Sequence, residues 1–192
     1  MSLRHALLAL LSAHPMTGYD VAKRFDGSVG FMWQAPHSQI YPELRRMEDA
    51  GLVKAEEVPR GNRARKREYS LTEDGLAELQ RWIAEPPSYA PERDVARLRT
   101  AYLEFGDADD ARRFFRAHIE HHEHWLSMWE SMQRSIESHD HEVIAERLRR
   151  RPPEEHERLV AWKVFAYDAL IARARVEIEW GRAGLALADR LG

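Results

Sequence analysis

The sequence predicts a mainly α chain in two parts: a small helical unit carrying one β-hairpin, then a second unit of long helices. Three observations carry that reading. Apolar residues recur at spacings of three and four through most of the chain. Two short alternating segments around "PRGNRAR" (59–65) break that period in the manner of strands. The segment "EPPSYAPE" (85–92) separates the two styles, because proline removes an amide donor and clashes with the preceding turn. It divides the chain into units 1–85 and 91–192.

The first helix spans about 2–13, with Leu3, Leu7, Leu10 and Leu11 on one stripe. A basic residue followed by a short apolar run imitates a secretory signal, but the ordered pattern continues past Pro15, so a core helix is expected. A second helix spans about 18–26, capped by Thr17, with Val21, Ala22 and Phe25 inward. The third lies in "HSQIYPELRRMEDAGLV" (37–53), where Ile40, Leu44 and Met47 share one side. Ser38, Tyr41 and Arg45 then lie along one outer flank and Gln39 and Arg46 along the other. Ser38 is expected to cap this helix, or Pro42 to be its first residue, and Gly51 to close it as a left-handed cap.

"LVKAEEV" and "KREYSLT" form a hairpin with a basic tip, and Thr72 caps a fourth helix whose Leu76, Leu79 and Ile83 face inward. Beyond residue 90 a short helix near 92–105 leads to Asp107, the cap of a long helix carrying Ala111, Phe114, Phe115, Ile119, Trp125, Trp129, Met132 and Ile136. A shorter helix ends at "RRPPEE" (150–155), and a last one runs from about 154 to 190. The two long helices extend roughly 45 to 55 Å at 1.5 Å per residue, more than a small globule can cover. A second copy of the chain would supply the missing surface, making 91–192 a long-helix dimerisation domain with Phe115, Trp125, Trp129, Trp162 and Trp180 as candidate contacts. An intramolecular helix hairpin is the alternative and is compatible with it.

Composition narrows the chemistry. With no cysteine there is no disulfide, thiolate metal site or cysteine nucleophile, and a reducing cytoplasm is the expected compartment. No apolar run approaches the roughly 20 residues of a membrane span. The formal net charge of −3 argues against a simple nucleic-acid binder, but Arg60, Arg63, Arg65, Lys66 and Arg67 form a local cationic tip without an intervening acid. Helix, helix, helix, strand, strand is the order of a winged helix-turn-helix, in which the second helix of the motif enters the major groove. Ser38, Gln39 and Tyr41 would then reach bases or nearby phosphates, Arg45 and Arg46 the backbone or a guanine, and the hairpin cations the phosphates.

"HPMTGYDVAKRF", "HSQIYPELRRMEDAGLV" and "KREYSLTEDGLAELQRWI" together resemble the PadR family of bacterial transcriptional regulators over residues 3–83. Gly18-Tyr19, Ile40-Tyr41-Pro42, Gly51-Leu52-Val53 and the Tyr-Ser-Leu-Thr run at 69–72 stand in order. The helical second half is similar to that of longer PadR-like, virulence-activator-type regulators. The resemblance implies a homodimeric repressor on a palindromic operator in double-stranded DNA. It also implies recognition-helix roles for Ser38, Gln39, Tyr41 and Arg45, wing roles for Arg63, Arg65 and Arg67, and response to a small hydrophobic or aromatic effector.

Two clusters invite other readings. "HIEHHEHW" (118–125) sets His118 and His122 one turn apart, and a metal-dependent hydrolase would be centred on His118, His121 and His122, but the segment offers no evident acid as third ligand. Exposed or interfacial histidines are the expectation, with neither cofactor nor catalysis. Trp125, Trp129, Trp162, Phe165, Tyr167 and Trp180 suit helix packing better than a pocket for a flat effector. A helical scaffold whose winged unit binds protein is the remaining alternative.

Overall fold

The first helix, α1 (Ser2–Leu11), buries Leu7, Leu8, Leu10 and Leu11 and stops two residues earlier than expected, with Ala13 N–H donating to the Leu10 carbonyl ahead of Pro15. The structure, a computed structural model, describes residues 2–27, 35–60, 64–89, 91 and 93–192. It divides into two units, 1–88 and 89–192. No helix among the described residues is long and apolar enough to cross a membrane.

In the first unit, α2 (Gly18–Asp26) and α3 (His37–Asp49) pack on α1. Thr17 caps α2 as expected, its hydroxyl accepting from the Asp20 amide and donating to the Asp20 carboxylate at 2.6 Å. The α3 helix closes in a Schellman turn: Gly51 has φ +71°, its N–H donates to the Glu48 carbonyl, and Leu52 N–H donates to that of Met47. Leu52 and Met47 are both buried, supplying the apolar contact that accompanies this motif.

The hairpin is β2 (Val53–Arg60) with β3 (Ala64–Leu71). A short third strand, Met16–Thr17, adds to the other edge of β3, with Met16 opposite Tyr69. With that strand as β1, the sheet order is β1-β3-β2. Pattern reading missed it because two residues are too few to show alternation.

Thr72 caps α4 (Glu73–Ala84), accepting from the Gly75 amide at 3.0 Å. Only part of the expected inner face is buried: Leu79 is inside, whereas Leu76 and Ile83 are 43% and 69% exposed. The cause is Gly75, where a Cβ would stand 2.0 Å from the Leu52 carbonyl oxygen. This close approach draws the Gly75–Leu79 edge inward and rolls Leu76 and Ile83 outward. On the same edge as Gly75 and Leu79, Trp82 stacks on His5, ring centroids 4.6 Å apart.

The second unit begins with α5 (Val95–Thr100), capped by Asp94. Asp107 and Asp110 form a capping box at the start of α6 (Ala108–Glu137). After α7 (Glu142–Arg149) comes α8 (His156–Leu191). Arg112–Asp189, Arg182–Glu123, Arg175–Glu130 and Gln133–Asp168 contacts run in opposite directions along α6 and α8, so the two are antiparallel. The intramolecular hairpin therefore exists within one chain. Phe115 is 3% exposed inside it, which places this residue in the α6–α8 seam rather than on an intersubunit surface.

That seam is close because α8 carries glycines. A Cβ on Gly184 would lie 2.3 Å from the Phe115 ring, and one on Gly181 2.7 Å from Ile119. Gly184→Ala sets overpacking of about 1–3 kcal/mol against a helix-propensity gain of up to about 1 kcal/mol. We expect a net loss of about 1–2 kcal/mol in urea unfolding at fixed protein concentration; an unchanged midpoint would mean that the seam yields freely.

Candidate nucleic-acid interface

Ile40, Leu44 and Met47 are each 0% exposed, and this stripe turns the rest of α3 outward. Ser38, Gln39, Tyr41, Arg45 and Arg46 are all exposed, as spacing predicted. The helix start differs from expectation. Pro36, in extended conformation, precedes the first turn and no side chain caps it, so Ser38 already lies within the helix. Pro42 is interior and has no N–H to offer the Ser38 carbonyl. The open amino end thus carries amide donors and a partial positive charge beside Ser38 and Gln39.

Tyr41 leans on α2. A Cβ on Gly18 would stand 2.8 Å from the Tyr41 ring, so glycine is what lets the ring lie there. A groove of about 540 Å³ runs past this contact, lined by Thr17, Gly18, Tyr19, Asp20, Tyr41, Arg45, Lys66, Arg67 and Tyr69. It joins α3 to the hairpin along one surface. Tyr19, 70% exposed, figures in the sequence only within the Gly18-Tyr19 pair and not as a contact residue. Its signal was an aromatic residue lying off the buried Val21, Ala22 and Phe25 stripe.

The cations of this surface differ in their ties. Arg67 Nη2 reaches both Glu48 carboxylate oxygens at 2.5 and 2.7 Å, holding β3 to the end of α3, and its guanidinium lies 5.7 Å from the Tyr69 ring centroid. Arg46 Nη1 donates to Glu43 at 3.1 Å, and Glu43 also accepts from Arg4 of α1 at 3.0 Å. Among the described residues, no ion pair engages Arg45 or Lys66. Arg60 and Arg65 stand on β2 and β3, one residue apart in register, but their side chains lie outside what is described. Arg63 lies outside the described residues.

A second cluster forms in the other unit. His118 Nε2 lies 3.2 Å from Glu177 Oε2, and Arg97 Nη1 donates to the same oxygen at 2.6 Å while stacking 4.3 Å over Trp180. Burial alone would raise the Glu177 carboxyl, but hydrogen bonding and charge from Arg97, aided by His118, hold it below the usual range. Burial, then the His118 charge, pushes His122 down to about 4. Glu177 is the acid that sequence reading failed to pair with the histidines, being 59 residues from His118. Its signal was a carboxylate beside the buried Ala174, Ile178 and Gly181 of α8.

Of the predicted aromatic contacts, Trp125 and Trp129 stack at 5.6 Å, both half-buried, and Trp162 is 67% exposed. Trp180 is half-buried against Phe115 and His118. None of these four lines a cleft of about 840 Å³ in this unit, whose walls include Leu98, Arg99, Tyr102, Arg113, Phe114, His118 and His121.

A winged helix-turn-helix that turns a polar, cationic helix face and a hairpin toward one open groove defines a DNA-binding transcriptional regulator. A profile of the transcriptional regulator PadR-like family matches residues 7–81. The negative transcriptional regulator PadR of Bacillus subtilis (strain 168) is 31% identical over 126 residues, covering 65% of this chain and 69% of that protein. The chain belongs to this family, whose members are transcriptional regulators and not enzymes, and the hydrolase alternative falls.

The probable transcriptional regulator Rv1176c of Mycobacterium tuberculosis (strain ATCC 25618 / H37Rv) is 47% identical over 88 residues. That stretch is 46% of this chain, which spans about half (47%) of that relative's length. Among solved structures, Bacillus subtilis PadR with operator DNA superposes at TM-score 0.74 (24% identity, 98% and 99% coverage), and with p-coumaric acid at 0.67 (25%, 97% and 98%). The Vibrio cholerae virulence activator AphA superposes at 0.72 (22%, all of both chains). The AphA likeness is one of fold, and it extends through the long helices.

Gly18→Ala tests the groove. The new methyl displaces the Tyr41 ring while leaving the core stripe of α3 intact. We expect a thermal midpoint within a few degrees of the parent and roughly tenfold weaker binding (about 1.4 kcal/mol) to a footprinted upstream DNA fragment. Unchanged affinity would remove Tyr41 from the contact surface.

Proposed function

We propose that the chain acts in the cytoplasm as a homodimeric repressor that binds a palindromic operator and is released by a small hydrophobic or aromatic effector. The observation that carries this reading is the continuous groove between the exposed face of α3 and β3. Ser38, Gln39, Tyr41 and Arg45 approach base edges, while Arg46, Arg60, Arg63, Arg65, Lys66 and Arg67 meet phosphates. The operator complex of the Bacillus subtilis relative supports the DNA partner. An effector site in the cleft at Tyr102 and Phe114 fits that relative's binding of p-coumaric acid, with Arg99 and Arg113 as counter-charges.

Pairing is supported by α8, which is apolar on two opposite sides. Tyr167, Ile171, Ala174 and Ile178 are buried on α6, whereas Trp162, Phe165, Ala169, Ala172 and Val176 form an exposed stripe. At about 100° per residue the two stripes lie roughly half a turn apart. Such an uncovered stripe on a long helix fits a second copy related by two-fold symmetry.

Footprinting on the DNA upstream of its own gene tests the reading, with two protected half-sites about 34–36 Å apart expected. In salt titrations Lys66→Ala with Arg67→Ala should weaken all DNA binding and flatten the logarithmic salt slope by up to about 1.8, roughly 0.9 per phosphate contact. Gln39→Ala should instead relax sequence choice at an unchanged slope. An unaltered slope in the double variant would discard the wing role.

For pairing, Trp162→Asp with Phe165→Asp should shift sedimentation from dimer to monomer while the helical signal persists. A stable dimer in that variant would place the interface elsewhere.

A further inference from the structure

We propose that His118, His122 and Glu177 form a binding site for a borderline divalent transition-metal ion, zinc by its donor set, that clips α6 to α8. The two histidines stand one helical turn apart with ring centroids 4.4 Å apart, and the carboxylate faces them from the antiparallel helix. One donor atom from each of the three side chains falls within 4.8 Å of the other two. The 3.2 Å between His118 Nε2 and Glu177 Oε2 matches the edge of a tetrahedron. With metal bonds of about 2.0–2.1 Å such an edge is about 3.3–3.4 Å. Rotation of the His122 ring brings the third donor to the same centre.

Ion pairing alone does not account for this arrangement. Arg97 already neutralises Glu177, and His118 already occupies it. His122 adds a second, half-buried imidazole that makes ring contacts but no hydrogen bond among the described residues. Gly181 lets α8 approach at this level, since a Cβ there would touch Ile119 at 2.7 Å and His118 at 3.6 Å. His118 also borders the large cleft, which leaves a wet side for a fourth ligand. On metal binding His118 ligates through the Nε2 lone pair with its ring proton carried on Nδ1, and Arg97 remains on the carboxylate as the outer partner that orients it. The ion is a structural and regulatory ligand here, and no reaction is assigned to it.

The test uses the full-length, tag-free chain, stripped with chelator at neutral pH. It is titrated with Zn2+ by calorimetry and with Co2+ by its ligand-field absorption. We expect saturation at one ion per chain, a low-coordinate Co2+ spectrum and a zinc-dependent rise in the unfolding midpoint. His122→Asn and Glu177→Gln should each lower affinity by more than about a hundredfold, beyond the 10–100-fold typical of outer-sphere changes, and abolish the midpoint rise. Because His122 holds no hydrogen bond, its variant keeps the fold even if Glu177→Gln does not. The exposed pair His121→Ala with His124→Ala should bind as the parent does. The proposal is overturned if no saturable binding occurs, if His122→Asn retains it, or if the His121/His124 variant loses it, which would mark adventitious surface chelation. DNA binding is read separately, so the regulator reading stands or falls independently.

Discussion

The roll of α3 about its own axis is the constraint on which the surface proposed to meet DNA depends. Three side chains, Ile40, Leu44 and Met47, are fully buried, each worth roughly 1.5–3 kcal/mol against exposure. A shift of one residue would turn the helix by about 100°, bringing polar residues into the core. The outward set is therefore not independently held in place; it is the complement of a buried stripe. Its ends are fixed as firmly, by the Gly51 turn behind and by Gly18 beneath Tyr41. The Glu48–Arg67 pair then ties the hairpin to that same helix.

Acidity and DNA binding coexist because many carboxylates serve as tethers. Glu43 joins α1 to α3 through Arg4 and holds Arg46, and Glu48 holds Arg67. A net charge of −3 sums over these internal ties and over a helical second half remote in sequence from the groove. On the proposed interface a duplex would meet the local field, to which the open end of α3, Arg45 and Lys66 contribute. In the proposed complex Arg46 and Arg67 would exchange these carboxylates for phosphates, which would moderate attraction to arbitrary DNA.

Features written in local chemistry were legible in the sequence. Thr17, Thr72 and Asp107 each cap the predicted helix, and Gly51 turns left-handed where the apolar pattern ends. These depend on a few neighbouring residues. Features set by tertiary approach were not legible: the Met16–Thr17 strand exists only because β3 passes beside it, and Leu76 and Ile83 are exposed because Gly75 meets a carbonyl from another element. Ser38 was misread because Pro36 starts the helix sooner than an expected side-chain cap. Glu177 joined the histidines only once two long helices had folded against each other. The outer face of α3 was readable by subtraction, whereas the groove and Tyr19 needed three elements in place.

The stripe of Trp162, Phe165 and Val176 on the free side of α8 has a consequence for the cell. If it is covered only by another copy, the competent species grows with the square of chain abundance at low expression, by mass action. Scarce protein would then leave its genes essentially untouched, and a modest rise in synthesis would silence them steeply. The threshold of the switch would be written in a strip of oily side chains outside the winged unit.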